Sequence, residues 1–340
     1  MRYPNFLKDN DTIGFIAPSF GCSTEPYRTC FEEAQRVFRK KGYSLMLGPN
    51  CYEAMGIGKS NTAEACGAEV NDFFLRRNCD VILTTGGGET MCEDLPFIDF
   101  EAIKNAPPKW LMGFSDITNL TFTLTTLCDT ASIYGPCVSA FGMRPWHQAV
   151  NDAYLILRGE KKTVSGYPGW ELESLKTEDN PLVPYHITEP PSIKICTSDP
   201  AHMSGRLLGG CLDSLAVLCG TPFDRVKEFN RKYSSDGIIW FMEAYDLSPF
   251  DMRRVLWQLD SAGWFKNASG FLFGRSVRFG ESVMGLDFYS AAESMLDKYN
   301  VPILMDLDIG HLSPMMPLIC GSLATVCASG RSISIDMNLI

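Results

Sequence analysis

The stretch WLMGFSDITNL, residues 110–120, runs an apolar strand (Trp110, Leu111, Met112) through Gly113 to Ser115 and Asp116, then into a segment with helical spacing. A strand that turns sharply into a helix is half of a βαβ unit, and a serine on that turn is one way to present a nucleophile. The same residues also read as a serine N-cap with Asp116 as a helix-dipole partner. Outward from this point the alternation recurs: TIGFIAPS (12–19), YSLML (43–47) and DVILTT (80–85) read as strands, and residues 26–42, 68–78 and 116–127 read as helices. Such alternation predicts a parallel sheet covered by helices, of the flavodoxin or Rossmann kind, with ligands at the carboxyl ends of its strands.

From about residue 160 to 200 the periodicity fades, and SGYPGWELESLKTEDNPLVPYHITEPPS carries five prolines. This reads as a connection between domains. Beyond it, GRLLGGCLDSLAVLCGTPF (205–223) reads as a glycine turn followed by a helix. GIIWFMEA (237–244), GFLFG (270–274), VPILMDL, SLATVCA and SISID read as strands, with helices over 249–263 and 286–299. The expected fold class is therefore α/β in two domains: an N-terminal parallel-sheet domain over 1–160, a linker over 161–200, and a C-terminal α/β domain rich in β-strands over 201–340.

Composition narrows the function classes. A net charge of −10, with no basic block beyond RKKG at 39–42, argues against a nucleic-acid surface. No run approaches eighteen apolar residues, and MRYPNFLKDNDT lacks the apolar core of a secretory signal, so no membrane association and a cytoplasmic location are expected. Thirteen cysteines, odd in number and without a CxxC pair, read as buried reduced thiols. No HExxH, paired His/Cys ligand set or Asp-rich loop occurs, so neither a metal nor a cofactor is expected.

Three polar residues stand just beyond apolar strands: Ser115 after WLMGF, Glu243 after GIIWFM, and His311 after PILMDLDIG. A serine hydroxyl becomes a useful nucleophile when a histidine takes its proton and a carboxylate fixes that histidine, so the three form a sufficient set. Each also has a plain structural role open to it. Ser115 can be a cap, Glu243 can pair with Arg253 or Arg254, and His311 can be a hydrogen-bonded structural histidine. TTGGGET (84–90) can hold backbone N–H groups toward a phosphate or an oxyanion, or can simply be a tight turn; its spacing matches neither GxGxxG nor GxxxxGK[ST].

Taken together, TIGFIAPSFG, TTGGGE, GFSDITNL, YGP (134–136), GRLLGGCLDSLAVLCGTPF and DIGH (308–311) resemble the serine LD-carboxypeptidases, the peptidase family that also holds the microcin C immunity proteins. The resemblance runs over nearly the whole chain. It implies a Ser-Glu-His peptidase with Ser115 as nucleophile in the N-terminal domain, and His311 as base and Glu243 as its orienting carboxylate in the C-terminal one. It further implies an oxyanion hole from the backbone N–H groups of Asp116 and Gly87, and a homodimer. Three departures stand out: Glu89 follows Gly88 where many members carry an aromatic residue, Tyr134 precedes Gly-Pro where a histidine often stands, and SVRFGESVMG (276–285) is a longer segment that leans toward the immunity branch.

The resulting expectation is hydrolysis of an amide bond next to a free carboxylate, with release of the terminal D-alanine of cytosolic murein tetrapeptide, as in peptidoglycan recycling. The partner is then a small peptide, and a basic side chain should meet its carboxylate. One alternative is a microcin-immunity-type peptidase that cleaves peptidyl or aminoacyl adenylates. Another, of a different class, is a non-catalytic small-ligand binding protein.

Overall fold

The computed structural model describes residues 1–56 and 58–340. Strands β1 (Thr12–Ile16), β2 (Ser44–Leu47), β3 (Val81–Thr84), β4 (Trp110–Gly113) and β5 (Ser132–Tyr134) form a parallel sheet in the order 2-1-3-4-5. That is the flavodoxin-like order. Its connections carry helices α1 (Tyr27–Lys40), α2 (Ala63–Leu75), α3 (Phe100–Asn105) and α4 (Thr118–Leu127), and α5 (Gln148–Leu157) follows β5. The central strands are buried on both faces, β3 and β4 at every residue, which is why they read as continuous apolar runs rather than alternating ones. Helix α2 begins five residues before the expected position because the Thr62 side chain caps it, accepting from the Ala65 N–H.

Two features of the second half depart from expectation. Segment 161–200 is more than a tether, since β6 (Thr163–Ser165) and β7 (Lys194–Ile195) are the two outer strands of an eight-stranded sheet. Strands of two or three residues among prolines leave no periodic trace. The second departure is GRLLGG, which is no turn: β8 (Ala201–Cys211) runs straight through it before α6 (Leu212–Leu218). Its glycines allow close approach, because a Cβ on Gly209 would stand 1.7 Å from the Phe241 carbonyl oxygen and one on Gly210 2.4 Å from Thr118 Cγ2.

Helix α7 (Val226–Lys232) precedes β9 (Ile238–Glu243), which is followed by α8 (Pro249–Ser261) and β10 (Ala268–Gly274). The hairpin β11 (Ser282–Val283) and β12 (Leu286–Asp287) leads into α9 (Phe288–Leu296) and β13 (Ile303–Leu307). Strands β14 (Leu318–Cys320), β15 (Leu323–Ser329) and β16 (Ser332–Asn338) end the chain. The second sheet has the order β6-β16-β15-β8-β9-β10-β13-β7, parallel from β8 to β13 and antiparallel outside them. Strand β14 leaves this half to pair antiparallel with β5, so residues near the carboxyl end complete the first sheet.

The two sheets share their apolar interior. One cluster joins Phe15, Trp110 and Met112 to Leu207, Phe241 and Leu307. Across the other, Phe122 of α4 stacks on Trp264 at 5.2 Å between ring centres, and Trp264 stacks on Trp240 at 5.7 Å. These contacts hold the element that follows Ser115 against the strand that ends in Glu243. All thirteen cysteines are free and nine are buried, so they pack as small apolar side chains. Among the described residues no helix is long and apolar enough to cross a membrane.

Candidate active site

The carboxyl ends of β1, β3 and β4 bring Ser19, the 86–88 glycines and Ser115 to one edge of the first sheet. Ser115 opens a short 3-10 turn (Ser115–Ile117) between β4 and α4, and its backbone sits at φ +64°. A non-glycine residue in this left-handed region costs on the order of 1 kcal/mol or more, a strain that persists only where the surroundings impose it. The Ser115 side chain caps nothing. Instead its Oγ lies 2.9 Å from Nε2 of His311.

His311 comes from the loop after β13, and its Nδ1 lies 2.8 Å from Oε2 of Glu243, the last residue of β9. The Tyr134 hydroxyl, at the end of β5, donates to Oε1 of Glu243 at 2.6 Å. A hydrogen-bonded chain thus runs Ser115–His311–Glu243–Tyr134, drawing two members from each half. Arg253 and Arg254 lie elsewhere, bonded to Ser294 and Asp251, so the pairing of Glu243 with either is overturned. The loop carrying His311 is pinned by Asp308, which is ion-paired to fully buried Arg275 and accepts from the Tyr167 N–H at 2.7 Å. The rings of Tyr245 and Phe114 pack on the imidazole at 4.6 and 5.0 Å.

Electrostatics follow from this geometry. Burial works against charge on His311, but the Glu243 carboxylate, with Asp213 and Glu89 farther off, holds its pKa above the ordinary value. Burial likewise opposes ionisation of Glu243, and His311 and Tyr134 overcome it, so the carboxyl sits below its usual range. Burial and the neighbouring Glu243 push the Tyr134 hydroxyl far up, so it remains a donor.

The Asp116 side chain faces inward, with Oδ2 accepting from Ser19 Oγ at 2.5 Å and the Met91 N–H at 2.9 Å, while Oδ1 accepts from Asn119 Nδ2 at 2.9 Å. It is therefore a staple between loops rather than a helix-dipole partner. Its own N–H has no internal acceptor among the described residues, and neither has that of Gly87. Gly87 lies so close that a Cβ there would stand 2.9 Å from Ser115 Oγ and 3.7 Å from the Asp116 nitrogen. The two amides thus flank the serine on one side, and glycine is the residue that fits.

A pocket of about 310 Å³ opens beside Ser115, walled by Gly88, Glu89, Asp116, Asn119, Asp213, Tyr245 and Asp246. No lysine or arginine lines it, so the basic side chain expected for a substrate carboxylate is not in this wall. A second cavity of about 160 Å³ touches Glu243 from the side of the 276–285 segment, walled by Phe279, Gly280 and Glu281. Among the described residues no three His, Cys, Asp or Glu side chains converge as a metal ion would require. Sequence reasoning missed Tyr134 as a partner of Glu243, and Tyr245, Asn119, Asp213 and Asp246 as pocket walls. The strand-end position of YGP, in the same layer as Ser115, was the one available signal.

Two family models match the chain, the LD-carboxypeptidase N-terminal domain over residues 13–135 and the LD-carboxypeptidase C-terminal domain over residues 204–326. The chain is 25% identical to the microcin C7 self-immunity protein MccF of Escherichia coli, across 97% of this chain and 94% of that protein. It is also 25% identical to the probable murein peptide carboxypeptidase of Bacillus subtilis, across 98% of this chain and 94% of that one. Among solved structures, an MccF-like protein from Bacillus anthracis shares the fold with a TM-score of 0.83 at 22% identity, over 99% of this chain and 100% of that chain.

Proposed function

Because the chain belongs to the LD-carboxypeptidase family, we propose that it is a serine peptidase in which Ser115, His311 and Glu243 carry the chemistry. The observation that supports this reading is the unbroken hydrogen-bonded path from the Ser115 hydroxyl to a buried, tyrosine-anchored carboxylate. His311 takes the hydroxyl proton as Ser115 Oγ attacks the scissile carbonyl, and Glu243 stabilises the imidazolium that forms. The amides of Gly87 and Asp116 hold the oxyanion. Collapse of the intermediate breaks the C–N bond, with His311 giving its proton to the leaving amine. A water deprotonated by His311 then cleaves the serine ester and frees the acid.

The reference substrate is murein tetrapeptide, whose terminal D-alanine would leave. A second reading, cleavage of an aminoacyl or peptidyl adenylate, draws support from the carboxylates of Glu89, Asp213 and Asp246 in the pocket wall. An aminoacyl group brings a free ammonium near the scissile carbonyl, a charge complementary to that wall. Purified protein offered murein tetrapeptide and an aminoacyl sulfamoyl adenosine separately, with products weighed by mass spectrometry, distinguishes the two. Loss of one D-alanine supports the first, a freed amino acid the second, and intact substrates in both would end the proposal.

The raised pKa of His311 sets the pH dependence. The imidazole serves as base only when neutral, so kcat/KM should climb with pH through an inflection above the ordinary histidine value of about 6.5. Removing a nearby negative charge with Glu89→Gln should move that inflection downward. An inflection below 6 in the native protein would contradict the assignment of His311 as base.

A further inference from the structure

One thiol stands apart from the rest. Strands β8 and β15 pair antiparallel with Cys327 directly opposite His202, and the alternation of both strands turns these two side chains to the solvent face. There His202 Nδ1 lies 3.2 Å from Cys327 Sγ. Of the other twelve cysteines, nine are buried. The remaining three are partly covered, and burial together with nearby carboxylates raises their pKa values: Asp116 and Glu93 act on Cys92, Glu293 on Cys196, which is pushed up to about 12, and Asp224 on Cys219. Cys327 alone is exposed and faces an imidazole, a neighbour that can take the thiol proton.

The pair opens on a recess of about 630 Å³, walled also by Tyr167, Pro168, Pro191, Pro200 and Arg331 of the β15–β16 turn. No aspartate, glutamate or lysine lines it, although the chain carries a net charge of −10. The Asp199 carboxylate reaches the same turn but accepts there from the Gly330 N–H. Arg331 is exposed, and its guanidinium has the geometry to receive a carboxylate. We propose that Cys327 and His202 form a site of thiol–disulfide exchange with low-molecular-weight disulfides that carry carboxylates, with Arg331 receiving the carboxylate. His202 Nδ1 takes the Cys327 thiol proton, and the thiolate attacks one sulfur of the disulfide. A new S–S bond forms to Cys327 as the old one breaks, and the departing thiolate recovers the proton from His202. The disulfide is the oxidant, and one free thiol leaves for each chain modified.

The test incubates native protein at neutral pH with glutathione disulfide and, in parallel, with cystamine, a disulfide that carries amines instead of carboxylates. Intact mass reads the adduct, peptide mapping its position, and a thiol assay the glutathione released. The expected result is one glutathionyl group per chain, on Cys327, with one glutathione set free. His202→Gln keeps an exposed polar side chain but removes the base, and it should slow the reaction by about tenfold or more. Arg331→Gln should slow the reaction with glutathione disulfide by about three- to fivefold and leave that with cystamine unchanged, so cystamine also reports that the fold around Cys327 is kept. No adduct, an adduct at another cysteine in preference to Cys327, a native rate in His202→Gln protein, or an Arg331→Gln protein that treats both disulfides alike overturns the proposal.

Discussion

Ser115→Ala should lower kcat by about four to six powers of ten and leave the fold intact, because the proposed nucleophile is lost while its surroundings are not. Ser115→Gly should be equally inactive but more stable than Ser115→Ala by about 1 kcal/mol, since glycine adopts φ +64° without the Cβ clash that alanine retains. The pair of variants separates two proposed roles of one position, the hydroxyl in the reaction and the side chain's β-carbon in the strain. A strained turn relieved by an inactivating substitution is the expected signature of a backbone held for function. The comparison is read from urea midpoints of the two variants beside native protein, together with turnover on the cleaved substrate. Equal midpoints for the alanine and glycine variants would show that φ at this turn stores nothing.

Glu243→Gln should lower kcat by about three to four powers of ten with little change in KM. The carboxylate sits between two donors, the Tyr134 hydroxyl at 2.6 Å and His311 Nδ1 at 2.8 Å, and accepts from both. An amide of the same shape has one acceptor oxygen, so one of the two partners meets an NH₂ group instead. If that partner is the imidazole, the wrong tautomer faces Ser115; in either orientation the charge that stabilises the imidazolium is gone. Adding Tyr134→Phe removes the competing donor and lets the amide oxygen turn to His311. The double variant should therefore recover about tenfold over Glu243→Gln alone, a coupling of the kind expected for residues in one hydrogen-bonded chain. A Glu243→Gln protein within tenfold of native kcat would mean that the carboxylate does not orient the base.

How much of this could be read from residues alone follows from range. The parallel strands β1, β3 and β4 announce themselves as short apolar runs because both their faces are covered. The sharp passage from Met112 to Thr118 is likewise local, and so is the family likeness of GFSDITNL. Strand order is not local: nothing near Leu318–Cys320 indicates that it pairs with β5 rather than with its own half. Gly209 and Gly210 look like a turn because paired glycines commonly mark one, whereas here they lie inside a strand where the neighbouring strand and Thr118 press on a backbone at φ +158° and +151°. Ser115, Glu243 and His311 each had an ordinary alternative, and only their convergence across 196 and 68 residues of chain separates the readings. Tyr134 and the acidic wall belong to the same category. Glu89 and Asp246 come from two distant loops and Asp213 from the first turn of α6, and each is unremarkable where it stands in the chain.

The central claim is that the Ser115 hydroxyl becomes the ester oxygen of a covalent intermediate. Acid-quenching the protein during turnover and mapping its peptides by mass spectrometry tests this most directly. The expected result is the mass of the substrate's acyl group on the peptide containing Ser115, absent from Ser115→Ala protein, which also fails to consume substrate. An acyl group mapped to another residue, or substrate consumed at the native rate by Ser115→Ala protein, would contradict it.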